Sequence, residues 1–161
     1  MNVSFDSIDL VVLDFDGVLT DNGVWVSQDG TEMVRCDRSD GLGIASITRA
    51  GIPVMVLSTE ANPVVAARCR KLGIPCVHGL SDKGSALRTL LAGGGIDAAR
   101  VAYVGNDVND LDCLAIVGLP VAVADANPEV AKAAALVLSR PGGHGAVREL
   151  CDLLLAARER G

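Results

Sequence analysis

An α/β fold built on a doubly wound parallel sheet is what this sequence predicts, on three observations. Short, continuously apolar runs alternate with segments of helical pattern along all 161 residues. The runs "LVVL", "IPVMVL", "RVAYVG" and "PVAVA" lack polar alternation, as strands covered on both faces require. Three of them end abruptly in polar residues, at Asp14, at Ser58 and at Gly105 to Asp107, and open α/β sheets bind ligands at the carboxyl ends of their strands.

Each element has its own signal. Ile8 to Phe15 reads as a buried strand. "GVWVSQDGTEMVR" reads as a β-hairpin flap turning at Asp29-Gly30. "SDGLGIASITRAG" is helical, with Ser39 or Asp40 as N-cap and Gly51 as its stop. "IPVMVLS" is the next buried strand. In "NPVVAARCRKLG", Asn62 caps, Pro63 takes the first helical position and Gly73 closes the helix. A short strand follows around Cys76 and Val77. "SDKGSALRTLLAGGG" is a helix ended by three glycines. "RVAYVG" is a strand, "VNDLDCLAIVG" a helix, and "PVAVA" a strand. "NPEVAKAA" repeats the Asn-Pro helix start, "ALVLS" is a last strand, and a helix runs from about Ala146. Strand and helix alternation of this kind gives a Rossmann-like sheet with helices on both faces. No linker, repeat or low-complexity tract divides it, so one domain over 1–161 is expected.

Composition excludes several classes of function. The formal charge is 14 − 20 = −6, without a basic cluster, which argues against nucleic acid or an anionic membrane as partner. Aromatic residues are scarce, so base stacking has little to work with. Cys36, Cys69, Cys76, Cys113 and Cys151 are odd in number and form no C-x-x-C pair; they read as small core residues of a reducing cytosol, not as a zinc site or disulfide scaffold. No basic-then-apolar leader and no apolar run of about 20 residues is present, so a cytoplasmic protein is expected.

The chemistry begins with "LVVLDFDGVLTD". Asp14 and Asp16 end a buried strand one residue apart, where like charges repel and desolvation is costly. A divalent cation would relieve them, and "GNDVND" ends another strand with further oxygen donors of the kind Mg²⁺ prefers. Lys83 opens a helix where the dipole favours an acid, which suggests an anion nearby. Ser58 can offer that anion its hydroxyl and its backbone N–H. Carboxylates, a metal, a lysine and a serine on one rim describe a phosphoryl-transfer site. Asp110 and Asp112 are also compatible with a solvated helix face.

Taken in order, "DFDGVLTD", the serine of "VLSTE", Lys83 and "GNDVND" resemble the four motifs of the haloacid dehalogenase superfamily of phosphohydrolases. "CDRSDGLGI", "LSTEANPVVAARCRKLGI" and "GGHGAVRELCDLLL" are similar to its small tetrameric branch of 3-deoxy-octulosonate 8-phosphate phosphatases, nine-carbon keto-acid phosphatases of the sialic acid type, and phosphatase-like domains of acylneuraminate cytidylyltransferases. The resemblance implies Asp14 as the nucleophile that forms an aspartyl-phosphate. It implies Asp16 as general acid and then base, with opposite protonation needs dividing the work of the pair. Mg²⁺ would be held by Asp14, the backbone carbonyl of Asp16 and the side chain of Asp107, with Asn106 and Asp110 behind the ligands or bound through water. Ser58 and Lys83 would hold the phosphoryl oxygens.

The resemblance also bears on access and substrate. Gly17 to Leu57 and Gly84 to Val104 are too short to hold a cap domain. The branch closes its capless site as a homotetramer, and Val24, Trp25, Val26 and Met33 on the hairpin would supply the apolar contact. His144 and Arg148 would lie on a tail that reaches a neighbour's site. Glu60, with Arg68 and Lys71 at i, i+3 on the next helix, resembles the nine-carbon type. The expected activity is therefore a Mg²⁺-dependent phosphatase of a 2-keto-3-deoxy nine-carbon sugar acid 9-phosphate. The alternatives are the octulosonate 8-phosphate enzyme, an idle assembly domain of a cytidylyltransferase, and a receiver-type switch.

Overall fold

The computed structural model describes residues 5–160. Six strands form one parallel sheet in the order β5-β4-β1-β6-β7-β8: β1 (Leu10–Leu13), β4 (Val54–Leu57), β5 (Cys76–Val77), β6 (Val101–Gly105), β7 (Leu119–Ala122) and β8 (Leu136–Val137). The chain winds outward from β1 through β4 to β5, then returns to the other side of β1 through β6. That reversal opens a crevice beside the carboxyl ends of β1 and β6, where Asp14 and Asn106 follow their strands. The antiparallel hairpin of β2 (Thr20–Val26) and β3 (Glu32–Cys36) rises directly from this crevice. No cap follows it.

Alternation along β1 explains the two helical layers. Val11 and Leu13 pack with Ile44 and Ile47 of α1 (Arg38–Arg49), Val65 of α2 (Val64–Leu72) and Leu150 and Leu154 of α6 (Ala146–Arg158). Leu10 and Val12 face Leu87 and Leu91 of α3 (Lys83–Gly94), Cys113 and Leu114 of α4 (Leu111–Leu114) and Val130 of α5 (Pro128–Ala133). Among the described residues no helix is long and apolar enough to cross a membrane.

Several boundaries differ from the sequence expectation for local reasons. β1 is shorter than Ile8 to Phe15. The cap of α1 is Asp37, whose carboxylate accepts from Ser39 N at 2.7 Å and Ser39 Oγ at 2.6 Å. Asp40 is thereby freed to turn inward, where it accepts from Arg148 N at 2.9 Å. It serves as a cap in trans for α6, whose own N-cap, Gly145, has no side chain to offer. Asn62 does cap α2, accepting from Val64 N at 3.0 Å, but Pro63 sits just outside the helix. "VNDLDCLAIVG" forms only a 3-10 turn (Val108–Asp110) followed by the four-residue α4, because Asp110 is pulled into the site.

Candidate active site

The centre of the site is a buried chain of charges. Lys83, the first residue of α3, has a fully buried side chain whose Nζ lies 2.8 Å from Asp14 Oδ1 and 2.7 Å from Asp110 Oδ1. Tyr103 donates its hydroxyl to the same Asp110 oxygen at 2.6 Å. Asp110 Oδ2 accepts from the backbone N–H groups of Asn106 at 2.9 Å and Asp107 at 3.2 Å. Asp110 is thus fully buried and satisfied on both oxygens, which corrects its reading as a solvated helix face. Sequence reasoning misses Tyr103, the one tyrosine of the chain. Its signal was a phenol inside an otherwise apolar strand, since a buried hydroxyl needs a partner.

Burial pushes the Asp14 carboxyl up, to about 7, and the nearby Asp110 charge adds to this against the pull of Lys83. Burial alone would depress Lys83, but Asp14 and Asp110 outweigh it and raise it, so the ammonium stays charged. Burial and then Asp110 hold the Tyr103 phenol well above its usual range, so it remains a donor.

Asp16 is half-buried, and its carboxyl is raised first by burial and then by Glu60. Both effects favour a protonated, acid-ready group. Ser58 is buried, but its N–H is committed to Val77 O at 2.9 Å. Only its hydroxyl, which accepts from Glu60 N at 3.1 Å, keeps a proton for an anion; the expectation of a backbone donor there is corrected.

One oxygen cluster tests the fit of a cation. The end of the Asn106 amide lies 3.1 Å from Asp14 Oδ2 and 2.9 Å from the Asp16 carbonyl oxygen. With Nδ2 in that place the amide donates to both. With Oδ1 there, it stands from each of the other two oxygens at the spacing of adjacent corners of an octahedron with bonds of about 2.1 Å, the bond length Mg²⁺ demands. Gly17, at φ 79°, leaves the room for this approach: a Cβ on it would stand 2.0 Å from the Asn106 amide nitrogen. Among the described residues no three Asp, Glu, His or Cys side chains converge as a metal cluster. The donor set here is one carboxylate, one carbonyl and one amide, which suits a hard, hydrated cation.

The remaining expected residues separate into two places. Glu60 lines a cleft of about 320 Å³ with Asp16, Asn22, Glu32 and Val64. Arg68 and Lys71 line another groove, of about 490 Å³, with Arg38 and Leu42 between α1 and α2. Asp107 is exposed; its carboxylate accepts from Val108 N at 2.7 Å and, at 3.5 Å, from Asn127 Nδ2. His144 Nδ1 lies 2.8 Å from Gly142 O, and Arg148 pairs with Asp152 at 2.8 Å on its own helix.

Several known proteins are similar to this chain. Residues 74–150 match the family described as haloacid dehalogenase-like hydrolase. The 3-deoxy-D-manno-octulosonate 8-phosphate phosphatase KdsC of Escherichia coli K12 is 40% identical over 154 residues, covering 95% of this chain and 82% of that protein. A solved HAD family hydrolase from Streptomyces avermitilis is 52% identical with a TM-score of 0.92, covering 96% and 88% of the two chains. The Moraxella catarrhalis 3-deoxy-D-manno-octulosonate 8-phosphate phosphatase, solved with magnesium, phosphate and KDO, is 30% identical with a TM-score of 0.93, covering 98% and 91%.

Proposed function

This chain belongs to the haloacid dehalogenase superfamily, in its capless KdsC-type branch of phosphoric monoester hydrolases, and from that premise we propose that it releases phosphate from a 2-keto-3-deoxy sugar acid phosphate, with 3-deoxy-D-manno-octulosonate 8-phosphate as its substrate. The observation that carries the reading is the placement of Asp14: one oxygen is fixed by Lys83, and the other lies in the three-oxygen cluster. A nucleophile so held needs no search for its attack angle. Asp14 attacks phosphorus and forms an aspartyl-phosphate as the sugar alkoxide leaves. Asp16 gives that alkoxide its proton, then takes one from the water that hydrolyses the acyl phosphate. Lys83 and the Ser58 hydroxyl hold phosphoryl oxygens. Asp14, the Asp16 carbonyl and Asn106 would hold Mg²⁺, which supplies positive charge to the phosphoryl group when bound. The geometry favours Asn106 as the side-chain ligand in the place where the sequence points to Asp107.

The relatives named for a substrate act on the eight-carbon ester, and this displaces the nine-carbon ester as the first choice. The nine-carbon acid is retained as a second reading because Glu60 shares the Asp16 cleft and can accept from its extra hydroxyl or amine. Arg68 and Lys71 can take part only if a neighbouring copy brings them to that cleft. The hairpin offers a surface for such a homotetramer: Trp25 is 71% exposed, with Val24, Val26 and Met33 all more than half exposed beside it. The test is phosphate release from both esters, with Mg²⁺ and with chelator. Mg²⁺-dependent release favouring the eight-carbon ester is expected. Preference for the nine-carbon ester would reinstate Glu60 as its reader, and no release from either would overturn the proposal.

A further inference from the structure

We propose that Thr20 is the positioning residue for Asp16: its hydroxyl fixes which carboxyl oxygen carries the proton given to the leaving group. The inference rests on the functional reading above. Thr20 is fully buried at the base of β2. A hydroxyl has two acceptor lone pairs and one proton. Here Gly17 N donates to Thr20 Oγ1 at 3.1 Å and Asn22 N donates at 3.2 Å, which fills the acceptor side. The one proton left points to Asp16 Oδ1, 3.3 Å away. Asp16 Oδ1 is therefore held as an acceptor, and the transferable proton belongs on Oδ2.

The turn that presents Thr20 is itself clamped. The segment 141–143 lies flat against the backbone of 17–21. Gly143 N donates to Val18 O at 3.0 Å, and Arg35 of β3 donates to Gly143 O at 2.8 Å. A Cβ on Gly142 would stand 1.9 Å from Gly17 O, and one on Gly143 2.3 Å from Asp21 N. Only glycines allow this contact. It fixes the turn, hence the hydroxyl, hence Asp16.

Leaving groups separate this role from a purely structural one. A sugar alkoxide needs a proton as it departs; p-nitrophenolate does not. Wild type, Thr20→Val, Thr20→Ser and Asp16→Asn would be assayed with Mg²⁺ on 3-deoxy-D-manno-octulosonate 8-phosphate and on p-nitrophenyl phosphate. Thr20→Val is expected to lower kcat on the sugar ester about 10²-fold and on the aryl ester less than about threefold, with Thr20→Ser restoring most of the loss, whereas Asp16→Asn, which also removes the base of the shared hydrolysis step, is slow on both esters. Thr20→Ala carries the same comparison should Thr20→Val fail to fold. Equal losses on the two esters, or a serine variant no better than valine, would overturn the role of Thr20 alone. A wild type inactive on both esters would overturn the functional reading and this inference with it.

Discussion

Asn106→Asp tests the cation site with a change of one atom. In the metal-free protein the amide can donate to Asp14 Oδ2 at 3.1 Å and to the Asp16 carbonyl at 2.9 Å. A carboxylate in its place loses both hydrogen bonds and brings a second negative charge to Asp14. At that separation and an effective dielectric near 20 the repulsion is about 5 kcal/mol, and proton uptake relieves part of it. For a chain of this size ~1 kcal/mol moves Tm by about 2–4 °C, so the variant melts on the order of 10 °C lower in chelator. With Mg²⁺ the sign reverses, because a carboxylate is the stronger ligand. The assay is thermal unfolding of both proteins in chelator and across a Mg²⁺ titration. A larger Mg²⁺-induced rise in Tm is expected for Asn106→Asp, while Asp107→Asn, whose carboxylate caps Val108, leaves the rise unchanged. Equal rises for wild type and Asn106→Asp, or a lost rise in Asp107→Asn, would refute the assignment.

Lys83→Met leaves two buried carboxylates without their cation and should cost roughly 3–5 kcal/mol in denaturant unfolding, with phosphate release abolished; a variant as stable as wild type would show that Asp14 and Asp110 do not depend on it. Asp40 supplies a pH signature, because burial raises its carboxyl to about 6 in the folded chain from 3.8. The folded state then holds a proton that the unfolded state has lost, so stability falls as pH rises from 3.8 to about 6 and is flat above. Asp40→Asn should gain on wild type by up to ~3 kcal/mol between pH 4 and pH 7, read from parallel unfolding curves in chelator; a constant difference would contradict the raised value. Inorganic phosphate should raise Tm with Mg²⁺ present and hardly at all with chelator, and equal protection in both would remove the cation from phosphate binding.

The sheet, the hairpin and most helix starts could be read from the sequence because local chemistry decides them. Asn127 before Pro128 caps α5 as expected, accepting from Glu129 N at 3.0 Å. What could not be read is cooperation between distant segments. Within "CDRSDG" the sequence points to Ser39 or Asp40 as the cap, whereas Asp37 takes that place and Asp40 does not. Only the approach of α6, 108 residues later, decides which of them turns inward. In "GNDVND" four oxygen-bearing side chains lie within five residues, and sequence cannot say which faces β1. The backbone after β6 sends Asn106 toward Asp14, Asp107 outward and Asp110 back onto Lys83. Resemblance to the nine-carbon type groups Arg68 and Lys71 with Glu60, yet α2 carries them along its length into a different groove.

The charges explain why two carboxylates can stand one residue apart. Asp14, Asp110 and Lys83 together carry a net −1 when ionised, which would repel a phosphate ester. Lys83 cannot reverse this alone. Two of its three protons are committed to Asp14 and Asp110, leaving one for a phosphoryl oxygen. Burial and then Glu60 raise the Asp16 carboxyl, and both bias it toward the uncharged form that lightens the site. The remaining deficit falls on Asp14 Oδ2, the Asp16 carbonyl and Asn106, and a divalent cation there turns the local sum from −1 to +1. Asp110 then has a purpose beyond structure. By holding Lys83 from behind, with Tyr103 and two backbone N–H groups steadying it, Asp110 aims the last ammonium proton at the substrate.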